Sequence, residues 1–198
     1  MPTAAELTIV RMTELNEEQL AHTFDLFAEG FYFIFSMISK DKAKLRDLFM
    51  DAFDREMAIV CLEGDTPVGM LACGNCQKQP IAMRKETCAA LLGRFKGGLV
   101  YAFAGPMLGK PKVTDPAEGY LDYLTTDPAC RGRGIGTKLL QNGSGGAFPY
   151  GRYSFEVLSK NENAIRLYKK LGYTVEKVKN DPFAMLVGSG RPVIFRVK

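Results

Sequence analysis

Metal-ligating residues are scarce in this sequence of 198 residues, which contains five cysteines and a single histidine, His22. One pair, Cys73 and Cys76, has the C-x-x-C spacing, and no second pair or histidine lies near it. A zinc site requires about four nitrogen or sulfur ligands, so we expect no metal site. Because the cysteine count is odd, we interpret the cysteines as reduced thiols, buried or half-buried, and not as a redox pair or disulfide framework.

Long apolar runs are also missing. The two longest, residues 31–38 and 97–108, are well short of the roughly 18 residues that a bilayer span requires. Residues 1–6 contain neither a basic region nor an apolar core, so we expect no signal peptide. These features predict a cytoplasmic protein that does not act at a membrane.

The charge is divided unevenly along the chain. Residues 1–65 carry 6 basic and 13 acidic side chains, whereas residues 66–198 carry 20 basic and 9 acidic ones. A basic C-terminal part suits a phosphate-bearing ligand and an acidic N-terminal part suits a cationic one, although ordinary surface variation explains the division equally well. Nucleic-acid binding would require clustered basic residues with interleaved aromatics, and the basic residues here are spread out, which argues against a nucleic-acid partner.

The apolar pattern predicts a single domain over residues 1–198, with an insertion at 76–116. Seven segments have the pattern of strands, namely residues 6–12, 57–62, 68–73, 120–126, 153–158, 173–178 and 192–197. Helices are expected over residues 16–31, 41–53, 83–95, 137–141 and 161–171. Within the insertion, we expect Gly97 and Gly98 to break a helix, and residues 100–108 fit either a helix or a strand. A glycine-rich segment at 142–146 predicts that the helix before it ends after about two turns.

The clearest motif joins a predicted strand to a predicted helix and reads Arg131-Gly132-Arg133-Gly134-Ile135-Gly136-Thr137. Unpaired backbone N–H groups at a helix start, together with the helix dipole, attract anions, and glycines let phosphates approach the backbone closely. The spacing G-x-G-x-G does not match the dinucleotide fingerprint, and the order Gly-Thr-Lys does not match the nucleotide P-loop. The motif therefore indicates a pyrophosphate site, with a tight turn that merely requires glycines as the alternative.

Two motifs together resemble the GNAT acyltransferase superfamily. The R-x-x-G-x-G pattern of Arg131, Gly134 and Gly136 is similar to its acetyl-coenzyme A loop. The second signature follows Glu156-Val157 and reads Asn161-x-x-Ala164-x-x-Leu167-Tyr168-x-x-Leu171-Gly172-Tyr173. These motifs occupy residues 120–175, about a quarter of the chain, in the family's order of strand, loop, helix, strand, helix, strand.

The resemblance implies an α/β fold with a mixed, twisted, mainly antiparallel sheet of six or seven strands flanked by helices. Strands 120–126 and 153–158 would separate at one end, and the pantetheine arm of acetyl-coenzyme A would lie between them. The implied coenzyme contacts are the backbones of Leu124 and Thr126, an N–H near Thr125 for the thioester oxygen, the pyrophosphate loop Arg131, Gly132, Arg133, Gly134, Ile135, Gly136 and Thr137, and the side chain of Asn161.

The reaction implied by this ligand is attack of an amine on a thioester. The departing thiolate needs a proton, and Tyr168 lies where the family places a tyrosine acid, with a core aromatic as the alternative reading. The amine must lose a proton before attack. Glu156 is the first candidate base by its spacing from Tyr168, Asp122 and Glu118 are rivals, and a water relay without a single base remains open.

These observations predict an N-acetyltransferase that moves acetyl from acetyl-coenzyme A to a primary amine, a small molecule or a peptide, by direct attack in a ternary complex. The alternatives are a non-catalytic coenzyme A-binding regulatory module and, less consistent with the acidic N-terminal third, a toxin-type enzyme that acetylates charged transfer RNA. We expect the acceptor side to be formed by the first two helices and by the insertion 76–116. The first two helices are rich in aromatics at residues 31–35, and a packed core helix is the stronger alternative reading of that segment. The oligomeric state, including a homodimer, is left open.

Overall fold

Seven strands form one sheet in the computed structural model, which describes residues 6–180 and 191–197. The expected absence of a signal peptide rests on residues 1–6, and of these only Glu6 is among the described residues. The strands are β1 (Leu7–Arg11), β2 (Ala58–Glu63), β3 (Thr66–Gly74), β4 (Glu118–Thr126), β5 (Arg152–Leu158), β6 (Thr174–Val178) and β7 (Pro192–Val197). Their order is β1-β2-β3-β4-β5-β7-β6, and every pair is antiparallel except β4 and β5, which are parallel. The predicted fold class is confirmed.

Helices cover both faces of this sheet. They are α1 (Glu17–Gly30), α2 (Tyr32–Phe35), α3 (Lys42–Ala52), α4 (Lys85–Leu92), α5 (Arg94–Gly109), α6 (Ile135–Asn142) and α7 (Glu162–Lys170). Buried side chains of α1 to α5 pack on one face, and those of α6 and α7 pack on the other. Asn16 and Asp41 cap α1 and α3 through side-chain bonds to backbone N–H groups, as their positions predict. In the described part of the chain, no helix has the length and apolar character needed to cross a membrane.

Residues 76–116, the predicted insertion, have helices with other boundaries than those expected from the sequence. Gly93, with φ +85°, separates α4 from α5, and α5 runs without a break through Gly97 and Gly98. The prediction of a break at these two glycines is therefore wrong. A Cβ at Gly97 would lie 2.2 Å from the carbonyl oxygen of Cys88 in α4. Glycine is needed at position 97 because α4 and α5 approach each other closely there. From the sequence alone, a glycine required for such a contact cannot be distinguished from a glycine that ends a helix.

The two central strands separate along most of their length. β4 and β5 pair only at three positions, the last of them Tyr120 with Ser154. Beyond that point β4 contains a bulge at Tyr123, which has φ +54° and is the one non-glycine residue with positive φ among those described. Beyond Tyr120 the two strands diverge and leave a gap between β4 and β5. We call the closed end of this gap, next to Tyr120, the vertex.

Helix α6 has eight residues and ends at Asn142, as the glycine-rich segment predicts. The chain continues into a wide turn, Gly143–Ala147, in which Gly146 has φ +124°. Ser144 hydrogen-bonds with Tyr173, and the Lys138 ammonium donates to the carbonyl of Leu7. These contacts hold the short helix on the sheet.

Candidate active site

The edge of β4 that faces the gap carries free backbone groups. The N–H of Asp127 donates to the carbonyl of Val68 in β3 at 2.9 Å, so the backbone of Asp127 faces β3. Because successive residues of a strand point their backbone groups to alternate edges, Thr125 also faces β3, whereas Leu124 and Thr126 face the gap. The N–H of Thr125 itself is thus directed away from the gap, and the donors available to a ligand there are those of Leu124 and Thr126.

The glycine loop lies at the C-terminal end of β4 and leads directly into α6. Gly132 and Gly134 have φ of +77° and +81°, and a Cβ at either position would meet no atom within 4 Å. No side chain caps α6, and the first N–H with a helical partner is that of Lys138, which donates to Gly134. The N–H groups of Ile135, Gly136 and Thr137 precede it. A helix start of this kind, with open space above two glycines, fits a pyrophosphate.

The two arginines of the loop have different surroundings. Within the described residues, the side chain of Arg131 is exposed and has no ionic or hydrogen-bond partner. Arg133 makes two contacts with the carboxylate of Glu63 at the end of β2, and its hydrogen bonds hold the pKa of Glu63 below the usual range. Arg131 is therefore available to an anion, whereas Arg133 must first leave Glu63.

Tyr168 lies on the buried face of α7. Its ring packs edge-on against Phe155 of β5, with centroids 4.4 Å apart, and also contacts Phe195 and Tyr173. Burial raises the pKa of Tyr168 to about 12. Its hydroxyl has no hydrogen-bond partner among the described residues. The phenol is thus a protonated, unengaged donor at neutral pH.

Asn161 begins α7 and is exposed. Its side-chain oxygen accepts a hydrogen bond of 3.2 Å from the N–H of Ala164, so it caps the helix. The expected contact with pantetheine therefore involves a residue that already has a structural role.

Glu118 belongs to a buried network at the paired end of β4. Its carboxylate accepts bonds from Ser154 at 2.6 Å and Arg152 at 3.1 Å, and it lies 3.5 Å from Arg196. Burial would raise the pKa of Glu118, but the bonds from Ser154 and Arg152 and the two arginine charges outweigh it and lower the pKa. Glu118 is positioned to hold β4, β5 and β7 together and is a poor candidate for a catalytic base.

The other two candidate carboxylates lie near the vertex, next to Tyr120. Asp122 and Glu156 both contribute to the raised pKa of Tyr120, after burial itself. Each carboxylate is bound by a lysine, Asp122 by Lys112 at 2.7 Å and Glu156 by Lys179 at 2.8 Å. The structure thus brings these two candidates near each other at the vertex, Asp122 on the β4 side of the gap and Glu156 on the β5 side.

Sequence reasoning missed three residues of this group, namely Tyr120, Lys112 and Lys179. Tyr120 could have been found, because it lies two residues before Asp122 on one strand and so shares its face. The lysines carry no such signal, since Lys112 lies in the loop between α5 and β4 and Lys179 follows β6.

The aromatic residues of the first two helices divide between core and surface. Phe35 is buried and Phe33 is 65% exposed, while Phe31 is half-buried. The Phe31 ring lies edge-on to the ring of Tyr123 at the bulge of β4, with centroids 5.6 Å apart. This contact connects the aromatic segment with the vertex.

Metal ligands are not grouped at this site. Among the residues described, no three histidine, cysteine, aspartate or glutamate side chains are arranged to hold a metal ion. The five cysteines are free, and Cys73 and Cys76 form no disulfide, which agrees with their interpretation as buried and half-buried thiols.

Comparison with known proteins relates this chain to a family of acetyltransferases. The model of a family described as "Acetyltransferase (GNAT) family" matches residues 20–173. An N-acetyltransferase from Staphylococcus aureus Mu50 shares 18% identity, with 96% of this chain and 100% of that chain covered and a TM-score of 0.61. Ard1 from Thermoplasma volcanium shares 14% identity over 96% of both chains, with a TM-score of 0.54. Naa50 from Arabidopsis thaliana, in complex with the bisubstrate analogue CoA-Ac-MVNAL, shares 16% identity over 97% of this chain and 98% of that chain, with a TM-score of 0.51. The comparison with curated proteins gave no match.

Proposed function

The chain belongs to the GNAT acetyltransferase family, and we propose that it transfers acetyl from acetyl-coenzyme A to a primary amine by direct attack in a ternary complex. The observation that carries this proposal is the continuity of the site. The open edge of β4, with the free backbones of Leu124 and Thr126, leads at one end to the glycine loop and at the other to the vertex. This arrangement suits a long ligand that carries a pyrophosphate and has its reactive group some distance away.

Residues of the chain supply the binding groups along this path. The loop offers the N–H groups of Ile135, Gly136 and Thr137 to the pyrophosphate, and Arg131 adds a positive charge. The backbone groups of Leu124 and Thr126 are available to the pantetheine amides, as an added strand would use them. Acetyl-coenzyme A supplies the activated thioester when it is bound.

The catalytic groups act at the vertex. A backbone N–H of the open edge is positioned to stabilise the negative charge that develops on the thioester oxygen. Tyr168 stays protonated to about pH 12 and provides the proton for the thiolate. Glu156 or Asp122 accepts a proton from the acceptor amine, and of these two we propose Glu156 as the first candidate.

The acceptor enters from the face of the sheet covered by α1 to α5. Asp122 and Glu156 favour a cationic acceptor, and the half-buried ring of Phe31, which packs against Tyr123, provides apolar surface near the vertex. These features support an amine, small-molecule or peptide, as the substrate. The free thiols support a reducing, cytoplasmic site of action.

The test is release of free thiol from acetyl-coenzyme A in the presence of a panel of primary amines, compared with release in their absence. Amine-dependent release by the wild-type protein, reduced in Tyr168→Phe, is the expected result. Tight binding of coenzyme A without amine-dependent release would replace this proposal by the regulatory binding module.

A further inference from the structure

The Lys112 side chain holds its ammonium group as a site for a primary amine would hold one. Its nitrogen lies 2.7 Å from the carboxylate of Asp122 and 4.8 Å from the centroid of the Tyr120 ring. A carboxylate and an aromatic face are the two groups that bind an alkylammonium ion most effectively. Asp122 is 20% exposed and Tyr120 is buried, so this site is partly enclosed.

The ammonium group of Lys112 also lies at the end of the gap where the reaction is proposed to occur. Asp122 lies two residues beyond Tyr120, the last residue of β4 that pairs with β5. The site is therefore at the vertex, the end of the open edge opposite the glycine loop. A ligand with its pyrophosphate on the loop and its arm along Leu124 would direct its reactive end towards Asp122.

We propose that Lys112 is itself an acetyl acceptor of this protein, modified in the same chain that binds the coenzyme. The proposal rests on the proposed function, since acetyl-coenzyme A supplies the acetyl group. Lys112 lies in the loop that joins α5 to β4 and is 37% exposed, so its side chain can move towards the gap without unfolding either element.

The transfer balances with the groups present. The Lys112 ammonium gives one proton to Asp122 and its free electron pair attacks the thioester carbon. The nitrogen–carbon bond forms, the carbon–sulfur bond breaks and its electron pair leaves on sulfur, which takes the proton of Tyr168. The nitrogen then releases its second proton, which restores Tyr168 through solvent. The products are N-acetylated Lys112, the thiol of coenzyme A and one proton.

Acetylation of Lys112 would change the site for other acceptors. The modified side chain has no charge, so it no longer binds Asp122. The carboxylate of Asp122 and the ring of Tyr120 then become available to an external amine. Lys112 acts in this scheme as an internal competitor until it is modified.

Lys96, which is exposed on α5, provides the control for the modification. Purified protein is incubated with acetyl-coenzyme A alone, and acetylation of each lysine is followed by peptide mass spectrometry. We expect Lys112 to be modified about 10²-fold faster than Lys96, at a rate independent of protein concentration and reduced in Tyr168→Phe.

The results separate this inference from the proposed function. Lys112 modification no faster than that of Lys96, in a protein that acetylates an external amine, overturns the inference and leaves the proposed function intact. Absence of both activities would remove the two together. Modification that becomes faster in proportion to protein concentration would show transfer between molecules and overturn the inference as well.

Two variants test the competition independently of mass spectrometry. Lys112→Gln lacks the charge, as the acetylated side chain does, and should lower the KM for an external amine about two- to fivefold, the effect of losing a partly exposed ion pair. Lys112→Arg keeps the charge but cannot be acetylated in this way, and should retain the high KM even after long incubation with acetyl-coenzyme A. Equal KM values for the two variants would contradict occupation of the acceptor site by Lys112.

Discussion

Arg133 of the glycine loop and Glu63 at the end of β2 form a two-point ion pair, with one nitrogen–oxygen distance of 3.0 Å. The pair connects the loop to the β2–β3 hairpin. It also distinguishes Arg133 from Arg131, which has no partner among the described residues. A charge that is already paired gains less from a phosphate than a free one, because the existing pair must first be broken.

The first prediction compares these two arginines. Arg131→Ala should weaken coenzyme A binding by about 1–2 kcal/mol, the effect of losing a charge-assisted hydrogen bond, and less at high salt. Arg133→Ala should weaken it by a smaller amount. Titration calorimetry at two salt concentrations measures both. Equal losses would show that Arg133 leaves Glu63 at little cost and binds the phosphates directly.

The second prediction separates charge from backbone strain at Gly134. Both Gly134→Gln and Gly134→Glu place a side chain at φ +81° and therefore suffer the same strain. Gly134→Glu adds a negative charge beside the helix start and should bind coenzyme A at least about tenfold more weakly than Gly134→Gln, with the two variants equally stable. Equal affinities would contradict the placement of the pyrophosphate.

The third prediction concerns Tyr168, the proposed general acid. Tyr168→Phe should lower turnover by about 10²–10⁴-fold and leave coenzyme affinity nearly unchanged. Because the pKa of Tyr168 is about 12, its proton is lost only as the pH rises towards that value, so the wild-type rate should show no alkaline fall from this group below about pH 11. Tyr173→Phe is the control, since Tyr173 is in the same aromatic cluster but its hydroxyl bonds Ser144. A wild-type rate in Tyr168→Phe would leave the tyrosine only a packing role.

The fourth prediction uses the Glu118 network. The pKa of Glu118 is lowered in the folded protein, so its stabilising effect is present above its unfolded pKa of about 4.3 and is lost as the pH falls below that value. Glu118→Gln should reduce the free energy of unfolding by about 1–3 kcal/mol at pH 7 and make it less dependent on pH below about 4.5. Turnover per folded molecule should persist. A complete loss of turnover in a stable variant would reinstate Glu118 as a base.

The fifth prediction tests the contact between α4 and α5. Gly97→Ala would place a methyl group 2.2 Å from a backbone oxygen and should destabilise the fold by about 1–3 kcal/mol or more. Gly98→Ala, whose Cβ would meet nothing within 4 Å, should stabilise it by about 0.5–1 kcal/mol. Chemical denaturation measures both. Similar effects of the two substitutions on stability would contradict the close approach of α4 and α5 at Gly97.

The sequence predicted local features well because they depend on nearby residues. The starts of α1 and α3 after Asn16 and Asp41, the loop that begins at Arg131 and the end of α7 near Leu171 all follow from a few neighbouring positions. The same local reasoning failed at Gly97, where the reason for glycine is a contact with a different helix.

Separating Glu118 from the other candidate carboxylates also required the structure. Glu118 and Asp122 lie four residues apart on one strand, in positions that alternate to the same face, and no neighbouring residue in the sequence distinguishes them. The difference is that Glu118 meets two arginines, Arg152 and Arg196, from other strands, whereas Asp122 meets a lysine from a loop. Such partners are set by tertiary packing and leave no pattern in the sequence.

The separation of β4 from β5 divides the sheet into two mechanical units. Strands β1 to β4 lie on one side of the gap and β5 to β7 on the other; three residue pairs, the Glu118 network and the core beneath α6 and α7 join them. Because the ladder between the two groups of strands is short, we expect their backbone amides to exchange with solvent at different rates. A ligand bound along the gap would contact both units and make them exchange together. Acetyl-coenzyme A would in this way complete the sheet as well as supply the reaction.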